Sequence, residues 1–121
     1  MARIVHFELP YDDGKRAREF YENLFGWQVQ GWGDEPTYQL ATTGTDGLGI
    51  DGALYQRQDP DLGILVYVSV PDIVDALARA ERAGATVVHP KTQIGGVGWS
   101  AVLRDPEGNL LGLFESEPGT D

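Results

Sequence analysis

The sequence predicts an α+β fold built from two βαβββ modules that together fill nearly the whole chain. In each half, an apolar run precedes an amphipathic helix with an aspartate at its start, and three shorter β-like runs follow. The candidate helix caps, Asp13 and Asp72, lie about 60 residues apart, and a repeat of this length indicates architecture. We therefore place module one at about residues 3–55, a linker at about 56–63 and module two at about 64–116, in one domain of 1–121.

The first module opens with the alternating run "RIVHFEL", which predicts a strand with two different faces. His6 and Glu8 share one of those faces, and Phe7 lies on the other. Apolar residues then recur at helical spacing behind Asp13, and Gly26 is placed to end the helix in a left-handed conformation. The runs "WQVQGW", "TYQLATT" and "GALYQ" predict the three further strands.

The second module repeats this order with "GILVYVSV", a helix capped by Asp72, and the runs "ATVVH", "GWSAVLR" and "NLLGLFE". Aligning the two caps places His6 over Leu65 and Glu8 over Tyr67. At the far ends, "DGAL" aligned with "LGLF" sets Gly52 over Gly112.

The amino-acid composition excludes several classes of partner and of chemistry. The net charge of −10 argues against nucleic acid and anionic membrane surfaces as partners, because their phosphates would be repelled. The absence of cysteine excludes thiol catalysis and cysteine metal sites, and it fits a reducing compartment. The start lacks the apolar run of a signal peptide, so we expect a cytoplasmic protein with no membrane partner.

The run "GLGIDG" spells a dinucleotide fingerprint, but a predicted strand follows it where that motif requires a helix.

The tandem modules, the helix run "FYENLFGW" and the final "DPEGNLLGLFE" resemble the vicinal oxygen chelate superfamily, which includes glyoxalase and bleomycin-resistance proteins. The stretch "GGVGWSAVLRDPEGN" is most similar to a single-domain, glyoxalase-like bacterial branch. The resemblance covers nearly the full chain. It implies curved mixed sheets around a ligand cavity.

In metal-using members, the resemblance implies one metal ligand in the first strand and one in the last strand of each module. The matching positions here are His6, Gly52, Leu65 and Gly112, of which only His6 can coordinate a metal. A catalytic zinc site needs about three protein ligands, so we expect no metal cofactor. Asp51 and Glu115 lie nearby, but strand alternation predicts that both point away from the cavity.

These considerations predict a metal-free protein that binds a small organic molecule. The expected ligand-binding residues are His6, Glu8, Gly52, Leu65, Tyr67, Trp99, Gly112 and Phe114. The alternative is a metal-dependent lyase, isomerase or dioxygenase using Zn, Ni or Fe, and the sequence does not decide whether any catalysis occurs. A His6–Glu8 pair could also transfer protons. A curved sheet of one module must face another within the chain or across a dimer, and we expect a homodimer.

Overall fold

A computed structural model of the chain describes residues 2–32 and 35–118. These residues form two helices and eight strands in two compact units. The N-terminal unit comprises residues 6–65, and the C-terminal unit comprises the described residues up to 5 together with those from 66 onward. The predicted α+β class and the repeated βαβββ order are confirmed. No helix in the described ranges has both the length and the apolar character needed to span a bilayer.

The first βαβββ series consists of β1 (Ile4–Tyr11), α1 (Gly14–Phe25), β2 (Gln28–Trp32), β3 (Glu35–Thr42) and β4 (Gly52–Gln56). Its strands lie in the order β2-β3-β4-β1. Strand β1 runs parallel to β4, and the other neighbours are antiparallel. This arrangement places the first and last strands of the series side by side.

Helix α1 begins and ends as its sequence predicts. The Asp13 side chain accepts a hydrogen bond from the Arg16 backbone N–H at 3.0 Å, which satisfies one of the free donors of the first turn. Gly26 ends the helix with φ of 74°, a conformation that favours glycine. The helix packs on one face of the sheet, where Tyr11, Val29, Ala41 and Leu54 form a buried cluster.

The second series consists of β5 (Leu65–Ser69), α2 (Ile73–Arg82), β6 (Thr86–Ile94), β7 (Gly98–Arg104) and β8 (Leu110–Ser116), in the strand order β5-β8-β7-β6. Strand β5 is parallel to β8, as β1 is to β4. Helix α2 covers a core of Ile73, Ala101, Leu103 and Leu113. Each series thus has one face covered by its own helix.

A tight turn leads into β8. The Asp105 side chain accepts hydrogen bonds from the backbone N–H groups of Glu107 and Asn109, both at 2.8 Å. Gly108 has φ of 88°, which explains the glycine in "DPEGN". These bonds lower the pKa of the Asp105 carboxyl, with the Asn109 backbone N–H contributing most. The turn therefore fixes where β8 begins.

Candidate functional site

The sheet of the N-terminal unit has a helix-covered face and a second face on which polar side chains gather. Phe7 lies on the helix side, because its ring is 5.7 Å from the ring of Trp27, which packs on the buried cluster. Strand alternation puts His6 and Glu8 on the opposite face. The predicted shared face of His6 and Glu8 is therefore confirmed.

Tyr38, on β3, joins the two residues into one hydrogen-bonded group. The Tyr38 hydroxyl donates to Glu8 Oε2 at 2.6 Å, and His6 Nε2 lies 2.9 Å from the same hydroxyl oxygen. The direct distance from His6 Nε2 to Glu8 Oε2 is 3.9 Å. The side chains of His6 and Glu8 are 29% and 12% exposed, so the group is largely shielded from water and yet reachable. We call His6, Tyr38 and Glu8 the polar triad.

The hydrogen bonds fix which His6 nitrogen carries the proton. The one proton of the Tyr38 hydroxyl is committed to the Glu8 carboxylate, so His6 Nε2 must act as the donor to Tyr38. In the neutral ring, Nδ1 is then the nitrogen with the basic lone pair. In the triad, His6 thus donates a hydrogen bond to Tyr38, and Tyr38 donates one to the Glu8 carboxylate.

Burial sets the charge of His6. It lowers the pKa of the imidazole below its ordinary value of 6.5, and the carboxylates of Glu8 and Asp51 oppose this shift without cancelling it. The imidazole is therefore neutral at neutral pH and able to accept a proton. If it takes one, the two nearby carboxylates stabilise the resulting positive charge.

Asp51 and Tyr55 extend the polar face around the triad. The Thr43 backbone N–H donates to Asp51 Oδ1 at 2.8 Å, which holds the carboxylate in place. The Tyr55 hydroxyl donates to the Gly63 carbonyl at 2.7 Å. Burial, followed by the charge of Glu8, raises the pKa of Tyr55, so its hydroxyl stays protonated and neutral.

The structure corrects the predicted place of Gly52. Its β1 partner is Phe7, and a Cβ added to Gly52 would overlap the Phe7 ring on the helix side. Asp51, one residue earlier, therefore faces the triad, contrary to the prediction that it points away. The error came from the alignment of the modules. Glu8 pairs with Ala53 as Tyr67 pairs with Gly112, so Ala53 is the true counterpart of Gly112.

In the C-terminal unit, three of the predicted residues share the face away from α2. Tyr67 pairs with Gly112 across two parallel strands, and Phe114 lies two residues further along β8 on the same face. Gly112 was predicted to leave open space, but the Tyr67 ring occupies that space, because a Cβ at Gly112 would overlap it. Leu65 begins β5 and is buried.

Trp99 and Glu115 lie on the other face of that sheet. The two residues are direct partners on β7 and β8, and Glu115 Oε1 accepts a hydrogen bond from the Ile73 backbone N–H at the start of α2. The Lys91 ammonium sits 4.9 Å from the centre of the Trp99 ring. Trp99 is therefore separated from Tyr67 and Phe114, contrary to prediction, whereas the prediction that Glu115 points away from them is confirmed.

Sequence reasoning missed Tyr38, Asp51 and Tyr55 as members of the polar face. Alternation along β3 and β4 was readable, but the register of these strands was not, because the nine residues 43–51 connect them without a short-turn signal. The contact of Tyr38 with Glu8 spans 30 residues of sequence and depends on that register.

The residues present do not fit the metal site of the superfamily. Of the positions that carry its ligands, by the corrected alignment, Ala53, Leu65 and Gly112 have no donor side chain, and His6 is engaged with Tyr38. Within residues 2–32 and 35–118, no group of three or more His, Cys, Asp or Glu side chains could hold a metal ion. A zinc site with three protein ligands cannot be assembled from these positions.

Paired βαβββ series, each with one helix-covered sheet face, define the class of this protein as a tandem α+β repeat fold. Over residues 3–113 the sequence matches the family model of the Glyoxalase/Bleomycin resistance protein/Dioxygenase superfamily. The chain belongs to this superfamily, as the resemblance of its motifs predicted.

Similar proteins agree with this assignment. Over 117 residues the chain is 25% identical to CFP32 of Mycobacterium tuberculosis, a protein with a provisional glyoxylase name; the match covers 90% of this chain and 44% of CFP32. The chain thus spans less than half the length of this relative. A superfamily member from Vibrio splendidus 12B01 has a TM-score of 0.69 at 18% identity, with 96% of this chain and 100% of that chain covered. Methylmalonyl-CoA epimerase from M. tuberculosis has a TM-score of 0.66 at 19% identity, with coverages of 95% and 88%. At these identities the solved structures show a shared fold.

Proposed function

We propose that this chain is a glyoxalase- and bleomycin-resistance-like protein that binds a small organic molecule at the polar triad without a metal ion. The observation that carries the proposal is the hydrogen-bonded chain from His6 through Tyr38 to Glu8 on the sheet face that α1 leaves uncovered. Groups that converge on one accessible point and have a perturbed pKa mark a candidate binding site. The superfamily to which the chain belongs includes bleomycin-resistance proteins, the class that the proposal names.

The triad offers a ligand a basic acceptor nitrogen. The His6 imidazole is neutral at neutral pH, so it can take a proton from an acidic group of the ligand. Tyr38 and Glu8 position the imidazole and stabilise its protonated form, much as a carboxylate supports a histidine base in other sites. Binding and proton transfer are both within the chemistry of this site.

The charge of the polar face determines which ligands it can bind. Glu8 and Asp51 are carboxylates, and His6 is neutral at neutral pH, so the polar face is negative. An anionic group placed against it would be repelled, while a neutral or cationic donor would be favoured. We therefore propose an uncharged or cationic ligand that presents a hydroxyl or amine to His6.

A ligand-detected NMR screen tests the proposal. Compounds grouped as neutral, cationic or anionic would be tested with the wild type, with Tyr38→Phe and with His6→Ala. The proposal expects hits among the neutral and cationic groups that weaken in both variants. His89→Ala is the matched control, because His89 is the other histidine and lies on exposed β6. Hits confined to anions, or hits that persist unchanged in His6→Ala, would overturn the proposed site.

The alternative, a metal-dependent lyase, isomerase or dioxygenase, is favoured by the description of the superfamily and by the fold shared with methylmalonyl-CoA epimerase. It requires ligands that the described residues do not supply.

The homodimer and the cytoplasmic location stay predictions. Sedimentation equilibrium tests the first of these, because a dimer has twice the chain mass of 13.2 kDa and a monomer at micromolar concentration would refute it.

A further inference from the structure

A second polar site lies on the opposite, helix-bearing side of the N-terminal sheet. It is a groove of about 470 Å³ where β1 ends and α1 begins. Its lining residues are Tyr11, Asp12, Gly14, Lys15, Arg18, Gln39 and Gln56. None of them belongs to the polar triad, so the groove is separate from the site of the proposed function.

The Tyr11 hydroxyl is the first sign of a ligand. Tyr11 is only 8% exposed and packs in the core with Val29 and Leu54. The Tyr11 hydroxyl has no hydrogen-bond partner among the residues that the structure describes, although almost all of the side chain is buried. No polar side-chain atom fully enclosed within those ranges lacks a partner, so the Tyr11 hydroxyl must reach the groove surface.

Gly14 keeps the space beside this hydroxyl open. A Cβ at Gly14 would lie 3.0 Å from Gln39 Nε2 and 3.2 Å from Tyr11 Cζ, the carbon that bears the hydroxyl. Gly14 does not have a positive φ, so the backbone conformation does not demand glycine there. The Gln39 side-chain amide also makes no hydrogen bond within residues 2–32 and 35–118. Two polar groups without partners therefore converge at one point.

The charged residues of the groove favour an anion. Lys15 and Arg18 are both cations, and their ion pairs with Glu19 and Glu22 are long, at 4.0 and 3.9 Å, and solvent-exposed. Such surface pairs are weak and leave the cations able to bind something else. Asp12 is the one carboxylate in the lining, and the Arg57 guanidinium neutralises it at 3.1 Å. The lining residues themselves thus carry two positive charges and one negative charge, in a chain whose net charge is −10.

We propose that this groove binds a small molecule through an oxyanion, either a carboxylate or a phosphate ester. The oxyanion accepts hydrogen bonds from the Tyr11 hydroxyl and the Gln39 amide, and the Arg18 guanidinium adds charge-assisted bonds. Every one of these three groups is a donor, and an oxyanion offers only acceptors. The same groups suit a neutral sugar less well, because the two cations would gain no charge partner.

Titration of the ¹⁵N-labelled full chain with inorganic phosphate, with acetate and with glycerol, at constant ionic strength, tests the proposal by NMR. Phosphate or acetate should give saturable shifts at the Gly14 backbone and the Gln39 side-chain amide, and the tighter of the two identifies the oxyanion class. Tyr11→Phe keeps the ring and should weaken binding about tenfold or more, because it removes a hydrogen bond to a charged acceptor. Arg18→Gln should weaken it by about tenfold or more, because it removes a charged donor.

Arg16→Gln is the matched control, because Arg16 lies on the same helix, has the same charge and does not line the groove. It should leave the affinity within about twofold, since exposed charges at a distance are screened by salt. The proposal fails if neither anion gives saturable shifts up to about 50 mM, a limit weaker than ordinary millimolar binding. It also fails if glycerol binds as well as the anions, or if Arg16→Gln and Arg18→Gln weaken binding equally. Arg18 is exposed, so its variant remains informative even if Tyr11→Phe does not fold.

Discussion

The ring of Tyr67 lies against the backbone of Gly112 on the neighbouring parallel strand, in the space that a side chain on Gly112 would fill. Gly52 has the same relationship with Phe7 in the N-terminal unit, but on the helix-covered face of its sheet. Gly112 is therefore explained by the ring that covers it, and Gly52 by the backbone oxygen and the ring of Phe7 together. They are not equivalent positions of the repeat.

Gly112→Ala should lower the free energy of unfolding by about 1–3 kcal/mol, the usual cost of forcing extra volume into a packed position. Urea denaturation followed by circular dichroism measures it. The nearest obstacles are all atoms of the Tyr67 ring, so Gly112→Ala should cost much less in a Tyr67→Ala background. Gly31→Ala is the matched control, because no heavy atom of the residues that the structure describes lies within 4 Å of a Cβ at that strand glycine. Equal costs for Gly31→Ala and Gly112→Ala would contradict the account.

Gly52→Ala should behave differently. The closest obstacle to its Cβ is the backbone oxygen of Phe7, which removal of the Phe7 ring leaves in place. We therefore expect a loss of at least about 1–3 kcal/mol that Phe7→Ala does not relieve. The same denaturation experiment on the double variant checks this. Full relief would mean that only the ring obstructs the position.

Much of the fold could be predicted from the sequence, because its signals are local. The caps Asp13 and Asp72, the left-handed Gly26 and the alternation that joins His6 to Glu8 all depend on neighbouring residues. The place of Gly52 could not be read in this way, because a one-residue slip in aligning the modules exchanges the two faces of β4. Tyr38 was missed for a related reason, since only the pairing of β3 with β4 brings it to Glu8.

Glu115→Ala should destabilise the C-terminal unit. The Glu115 carboxylate accepts a hydrogen bond from the Ile73 backbone N–H, one of the free donors at the start of α2. Loss of a comparable helix cap costs about 0.5–2 kcal/mol, and Glu115→Gln should lose less, because its amide oxygen can still accept the bond. Thermal unfolding of the two variants compares them. An unchanged melting temperature for Glu115→Ala would show that the carboxylate does not cap α2.

The His6 imidazole should titrate below 6.5, with its pKa lowered by burial. Glu8→Gln should lower the pKa further, because the carboxylate favours the charged ring. ¹³C NMR of labelled histidine measures both values, and His89→Gln assigns the signals. A rise of the His6 pKa in Glu8→Gln would contradict the geometry of the triad.

The lowered pKa of His6 also makes the stability of the fold depend on pH. Between the lowered pKa of folded His6 and about 6.5, the unfolded chain binds more protons than the folded chain. Stability is therefore lost as the pH falls through this window and is regained above it. Urea denaturation at a series of pH values should show a smaller loss across the window in His6→Gln than in the wild type. An identical loss in both would assign the effect to other groups.

Elemental analysis of protein purified without chelator tests the central claim, a ligand site without a metal, most directly. The account predicts far less than one zinc, nickel or iron per chain, with no change in His6→Ala, because the superfamily's ligand positions offer only His6. Isothermal titration with each metal should likewise show no tight binding that depends on His6. One metal ion per chain, lost in His6→Ala and retained in the control His89→Ala, would contradict the account.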